Sequence, residues 1–307
     1  MSLFLIFRTE KKKEDGMNRK KMYPGYMMVI PLIIFGIFFL LPSTVGFGYA
    51  FTDWSAYNTD LHFTGLSNFK DVLSERTVST AFVNTLIFAG VKTVVVTVLG
   101  FVFAIPLNNK FMKSTKLLRT IYFLPSVLST LVVGLIFNAV FESRHGIMNG
   151  LLRAVGMEAF IQPWLGSRWP AVFSICSAEV WRNIGYAVVI TLAGLQSVNS
   201  DYIEAAEVDG ASGMQKFWKI TLPLILPSVN VNILFSLIYG LKMFDLVYVM
   251  TGGGPGHDTE TFGTLMMNEM ASGRFSHSVA INMVFTVILV IVAVLFQKYS
   301  ERCEYVE

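Results

Sequence analysis

The sequence predicts an all-α membrane protein with six transmembrane helices and both termini in the cytoplasm. Three observations carry that expectation: a strongly apolar, charge-poor composition, six apolar runs of spanning length, and a one-sided distribution of Lys and Arg. The chain has 307 residues, 53% of them hydrophobic and only 15% charged, with a mean hydropathy of +0.56. An ordinary soluble domain carries about a quarter charged residues, so this chain has too few to cover a water-facing globule. The same composition excludes a disordered chain, which needs low hydrophobicity. A net charge of +3 is too small for a nucleic-acid footprint. The two cysteines, Cys176 in an apolar run and Cys303 in the polar tail, do not suggest a disulfide framework.

A spanning helix needs about 20 mostly apolar residues. The runs are Tyr26–Ala50, Ala81–Ile105, Thr120–Phe141, Ala171–Leu195, Leu222–Met250 and Ser278–Phe296. The fourth is the least apolar, because it holds Glu179, Arg182 and Asn183. Pro31, Pro42 and Pro125 fall inside runs, where neighbouring helices can satisfy the freed carbonyls. Pro223 and Pro227 fall in the first turns of the fifth, where a missing N–H costs little. The resulting division is a basic segment over 1–25, a six-helix domain over 26–298 that includes a loop at 197–221, and a tail over 299–307.

Basic residues set the orientation. Fifteen Lys and Arg precede the first run, lie between runs two and three and between four and five, or follow the sixth; six lie on the other side. The majority side is expected to be cytoplasmic, which agrees with an even number of spans. Tyr26–Ala50 follows basic residues but exceeds the usual core of a cleaved signal, so it is expected to stay as the first helix. Met17, just before Asn-Arg-Lys-Lys, is an alternative start.

The loop at 197–221 breaks the charge rule. Asp201, Glu204, Glu207 and Asp209 give it four acids, with no Lys or Arg from 197 to 215. Asp201 followed three residues later by Glu204 reads as a helix start, and Gly210 as a helix end. A helix of about two turns is not stable alone and calls for a partner. An anionic inner leaflet repels acids, so small Ala205 and Ala206 beside acids suit a groove on a cytoplasmic protein. A solvated connecting loop accounts for charge and capping equally well.

Glu204-Ala-Ala-Glu-Val-Asp-Gly-Ala211, followed by Phe217-Trp-Lys-Ile220 and Leu222-Pro-Leu-Ile-Leu-Pro227, resembles the EAA loop of ABC-importer permeases. Further segments are similar to the sugar-importer branch of that family, of the maltose and glycerol-phosphate type. These are Phe63-Thr-Gly-Leu-Ser-Asn-Phe69, Asn84-Thr85, Trp181-Arg-Asn-Ile-Gly-Tyr186, Leu192-Ala-Gly-Leu-Gln196, Phe244-Asp-Leu-Val-Tyr-Val-Met-Thr-Gly-Gly-Gly-Pro255 and Thr259-Glu-Thr261. The resemblance covers about residues 24–300. It implies a type I ABC-importer permease fold in the plasma (inner) membrane. It further implies a second permease subunit, two ATP-binding cassette subunits that hold ATP and Mg, and an extracellular sugar-binding protein. The chain itself then needs no cofactor and hydrolyses nothing. Glu204, Ala205, Ala206, Asp209, Gly210 and Ala211 become the ATPase-coupling residues.

Three cations lie within the runs: Lys92, Arg182 and Lys242. Such residues usually face a bundle interior or a wet cavity. Glu179 precedes Arg182 by three and Asp245 follows Lys242 by three, which puts each pair on one helix face. Lys92 has no nearby partner in sequence. Glu179, Arg182, Asn183, Tyr186, Asn232, Tyr239 and Lys242 are therefore candidates for a hydrophilic substrate pathway, with tyrosine faces suited to sugar rings. Ion pairing that only fixes helix packing accounts for the charges as well.

No catalytic site is legible. Thr251-Gly-Gly-Gly-Pro-Gly256 lacks the Gly-Lys-Ser/Thr of a phosphate loop. His62, His145, His257 and His277 have no metal-ligand spacing. The competing reading is a stand-alone secondary carrier or channel. A permease for a non-sugar solute such as glycerol phosphate is a second. The capped acidic loop argues against the carrier, which has no use for a docking helix.

Overall fold

The computed structural model describes residues 26–58, 60–108 and 114–304, with side chains as far as 300. The expectations for 1–25, including the basic cluster and Met17, for Lys110 and Lys113, and for the Cys303 side chain lie outside the described residues. The chain divides into two compact units, Met1–Tyr49 and Ala50–Glu307. In the first, the described residues form one helix, α1 (Tyr26–Tyr49), long and apolar enough to cross a membrane. A π-helical turn at Gly36–Leu40 lies between Pro31 and Pro42 and keeps the helix continuous.

The second unit is also helical; among its described residues the only extended pairing is the bridge between Thr52 and Phe63. Its elements are α2 (Ser67–Ser74), α3 (Arg76–Leu107), α4 (Thr115–Val127), α5 (Thr130–Val140), α6 (Ile147–Ala154), α7 (Arg168–Ser197) and α8 (Ser200–Val208). They continue as α9 (Gly213–Leu224), α10 (Leu226–Leu241), α11 (Asp245–Met250), α12 (Phe262–Ala271) and α13 (Phe275–Glu304). Among the described residues, α1, α3 and α13 have the length and apolarity of single spans.

The third and fifth runs are not single straight helices. α4 and α5 meet at 97° after Pro125, and α9 and α10 meet at 67°. At the second bend Pro227 removes a backbone donor and its ring crowds the turn before it, where the chain leaves the helix at Ile225; the first bend falls at the extended Leu128 and Ser129, beyond the turn that Pro125 disturbs. Counting each bent pair as one span gives five by length and composition. The fourth run is one 30-residue helix, α7, long enough at about 1.5 Å per residue to cross. Its polar residues keep it outside that count.

α3, α7 and α10 form the centre of the unit. Close approach depends on small residues, as expected where apolar burial cannot drive helix association. A Cβ on Gly100 of α3 would lie 2.8 Å from the Ala187 Cβ of α7. One on Gly240 of α10 would lie 2.7 Å from the Ala89 Cα of α3. Apolar clusters fill the remaining space. Phe88, Val133, Ile175 and Leu246 form one, Ala104, Val188, Leu192 and Ile225 a second. A third, with Val72, Ala81, Phe262 and Ile281, ties α12 and α13 to the start of α3.

Asn84 and Thr85 anchor the segment before α12. Asn84 is fully buried. Its Nδ2 donates to the carbonyl oxygens of Asp258 and Glu260, each at 3.0 Å, and its Oδ1 accepts from Arg168 Nη2 at 3.0 Å. The Phe262 N–H donates to Thr85 Oγ1 at 3.3 Å. Thr259 Oγ1 donates to the Gly254 carbonyl at 2.7 Å, and Asn268 Nδ2 donates to Glu260 Oε1 at 2.8 Å. The Thr-Glu-Thr segment thus follows from polar satisfaction: a buried non-helical stretch needs its backbone groups paired.

Candidate functional site

α3, α7 and α10 enclose one side of a cavity of about 400 Å³. From α7 it is lined by Arg182, Asn183, Tyr186, Ala187 and Ile190, from α10 by Asn232, Phe235, Ser236 and Tyr239, and from α3 by Lys92 and Val96. Each helix contributes one face, since residues three and four apart lie one above the other. Five of the seven pathway candidates, Arg182, Asn183, Tyr186, Asn232 and Tyr239, meet at this cavity. Glu179 and Lys242 do not line it.

Glu179 is instead the counter-ion behind the wall, 3% exposed. Lys92 Nζ donates to its Oε1 at 2.6 Å. Arg182 Nε donates to Oε2 and Nη2 to Oε1, both at 3.2 Å. The partner that Lys92 lacked in sequence comes from a helix 87 residues away. The expected Glu179–Arg182 pair is present but is two-thirds of a trio.

The Lys242–Asp245 expectation fails. α10 ends at Leu241, Lys242 is its C-cap, and α11 starts only at Asp245. The three-residue spacing therefore does not put them on one helix face. Both side chains are exposed, and no ion pair joins them.

Phe235, Ser236, Val96, Ala187 and Ile190 are the cavity residues that sequence reasoning passed over, and Lys92 was noted as an intramembrane cation without being placed in the pathway. For the first two a signal existed: Asn232, Phe235, Ser236 and Tyr239 are spaced by three, one and three, one continuous helical stripe. Their aromatic faces are organised. Phe235 and Tyr239 stack at 6.2 Å, Phe123 of α4 meets Tyr186 edge-on at 5.3 Å, and Lys92 Nζ lies 5.7 Å from the centre of the Tyr239 ring.

The second site is the loop immediately after α7. α8 is capped not by Asp201 and Glu204 but by Asn199, whose Oδ1 accepts from the Asp201 N–H at 3.1 Å. Asp201 sits in the first turn, where an acid favours the positive helix end. Glu204 caps nothing and is exposed. The far end matches expectation. Gly210 has φ +75°, a left-handed conformation open to glycine at little cost. The Gly210 N–H donates to the Glu207 carbonyl at 3.0 Å and the Ala211 N–H to the Ala206 carbonyl at 2.9 Å. These two bonds make a Schellman closure.

Ser212 and Gln215 then cap α9 reciprocally, through a Gln215 N–H to Ser212 Oγ bond of 3.3 Å and a Ser212 N–H to Gln215 Oε1 bond of 2.8 Å. Of the six coupling candidates, Ala206 is buried and Ala211 half-buried, while Glu204, Ala205, Asp209 and Gly210 are exposed. Tyr202 and Val208 on the same helix are also exposed, Val208 at 89%.

Residues 96–303 match the family described as the binding-protein-dependent transport system inner membrane component. The chain belongs to that family. It is a multi-pass inner-membrane protein. It is 34% identical to the multiple sugar-binding transport system permease protein MsmF of Streptococcus mutans, over 90% of this chain and 94% of that one. To the trehalose/maltose transport system permease protein MalF of Thermococcus litoralis it is 31% identical, over 89% and 92%. To the arabinooligosaccharides transport system permease protein AraP of Bacillus subtilis it is 31% identical, over 93% and 91%. A crystal structure of a bacterial ABC transporter for import of the acidic polysaccharide alginate shares the fold. Its TM-score is 0.78 at 23% identity, covering 90% of this chain and 94% of that one.

Proposed function

We propose that this chain is one of two permease subunits of an ATP-driven importer for an oligosaccharide. The carrying observation is the sequence of two sites on one helix: α7 lines a polar, aromatic cavity and runs directly into the self-capped α8. In this reading the cavity is this subunit's half of the translocation pathway, completed by a second permease. α8 and Gly210 form the coupling element that docks on one of two ATP-binding cassette subunits. ATP and Mg belong to those subunits, and this chain holds no cofactor. A solute-binding protein delivers the sugar from outside. Six spans with both termini in the cytoplasm accommodate this arrangement, with α7 as the fourth span and each bent pair as one.

Supporting the sugar are the transport functions that several relatives are named for and the stacked Phe235–Tyr239 face beside amide and hydroxyl groups. The test is cysteine labelling joined to uptake, in an assembled complex freed of native cysteines. An impermeant reagent added outside should label Asp60→Cys and His257→Cys but not Asp201→Cys. Vesicles should accumulate an oligosaccharide only with ATP and binding protein. Outside labelling at 201 would overturn the topology, and ATP-independent uptake would return the secondary carrier.

A further inference from the structure

The cavity is short of acids. Lys92 and Arg182 are its charged lining residues, and the other nine are apolar, aromatic, hydroxyl or amide. Glu179 can balance only one of the two, so the trio has a formal charge of +1. Among the described residues neither cation has a second acidic partner. The Glu179 oxygens are already taken by Lys92 Nζ, Arg182 Nε and Arg182 Nη2. Arg182 Nη1 and the remaining Lys92 protons make no hydrogen bond among the described residues.

On α10, Asn232 is 3% exposed and its Nδ2 has no hydrogen-bond partner among the described residues. A buried amide donor is costly to leave unpaired. From this chain the site therefore presents unsatisfied donors on three helices and a formal positive charge at membrane depth that no acid among the described residues balances; such charges mark substrate paths.

We infer that this cavity recognises an anionic group, a carboxylate or a phosphate, carried by the saccharide. The inference rests on the saccharide-permease reading above. Arg182 and Lys92 supply charge-assisted donors, Asn232 a neutral one, and the Tyr239 ring a flat face for the sugar. Glu179 does not touch the ligand; it holds the two cations side by side. A neutral sugar would satisfy the donors but leave the extra charge unbalanced.

The experiment measures binding to the purified permease–ATPase complex by calorimetry, without the binding protein, so that only the membrane site selects. Two matched pairs are compared: trigalacturonate against its methyl ester, and a sucrose phosphate against sucrose. The acidic member of one pair should bind about tenfold more tightly, the scale of one charge-assisted hydrogen bond, and the pair concerned identifies carboxylate or phosphate. Lys92→Gln leaves Glu179 and Arg182 as a neutral pair. In that variant the preference should fall to parity, a wild-type elution volume of the assembled complex shows that the fold holds, and Lys92→Arg, which keeps the charge, should keep the preference. Equal binding within both pairs in the wild-type complex overturns the anionic inference and leaves the saccharide reading standing. Survival of the preference in Lys92→Gln overturns it too. Failure of all four sugars to bind overturns the anionic inference and leaves the permease reading to the uptake test above.

Discussion

The charged trio has two members at the middle of α7 and the α8 loop follows the end of α7, yet the two sites are built in opposite ways. Lys92, Glu179 and Arg182 are joined across two helices; Lys92 and Glu179 are only 2% and 3% exposed, and the Arg182 side chain, at the cavity, 20%. α8 is exposed along most of its length and stabilised by its own ends, Asn199 at the start and Gly210 at the finish. A buried charge depends on its partner, because removing one member leaves the other unpaired in a low dielectric. A capped surface helix depends on local backbone geometry, and damage to it stays local. The first kind of site should fail by loss of the protein, the second by loss of function in an intact protein.

The largest effect should come from Glu179→Gln. Buried Lys92 and half-buried Arg182 would face each other without a counter-ion, a change of about 3–5 kcal/mol by the behaviour of broken buried pairs. The yield of assembled complex after a mild heat challenge in detergent should collapse. An unchanged yield would mean that water reaches the trio. The next test separates a trio from a pair. The exchange Glu179→Arg with Arg182→Glu should not by itself restore assembly, since the incoming guanidinium would lie against Lys92. Adding Lys92→Glu should restore it, because every contact is then inverted. Rescue by the exchange alone would show that Lys92 is not part of the unit.

Gly210→Val should act on the other side of the comparison. A left-handed residue with a branched side chain costs about 1–2 kcal/mol, too little to unfold the helical core. Assembly should be near normal while vesicle uptake and binding-protein-stimulated ATP hydrolysis fall to background; Gly210→Asn, which tolerates that conformation, should retain much of both. Glu204→Lys sharpens the point, since Glu204 caps nothing: loss of uptake there reports docking charge and not helix stability. Near-normal uptake in both variants removes the loop from the mechanism. The smallest effect belongs to Asn199→Ala, which deletes one cap bond worth about 1 kcal/mol. It should slow uptake partially, and Asn199→Ser should recover it.

The same contrast explains what is legible without the structure. Gly210 is legible because a left-handed helix end needs only the residue and its neighbours. The helix start lies two residues before the expected one, since Asn199, Asp201 and Glu204 all carry side chains able to accept from a first-turn N–H, and backbone dihedrals choose among them. The Glu179–Arg182 contact is legible from a spacing of three on an unbroken helix. The same spacing at Lys242–Asp245 fails because the chain leaves the helix at Lys242, two residues after Gly240.

By itself, then, the sequence determined helical class, the apolar runs, the acidic loop with its glycine end, and the family. These rest on composition and short-range periodicity, which any unfolded copy of the chain already carries. Only the tertiary structure decided that α4 and α5 part at 97° and α9 and α10 at 67°. It also decided that Asn84 ties down a segment some 175 residues on, and that Lys92 meets Glu179. The last two depend on which helix faces come together; α3 meets α7 at Gly100 and α10 at Gly240. A contact between residues 87 apart has no period in the chain that could announce it.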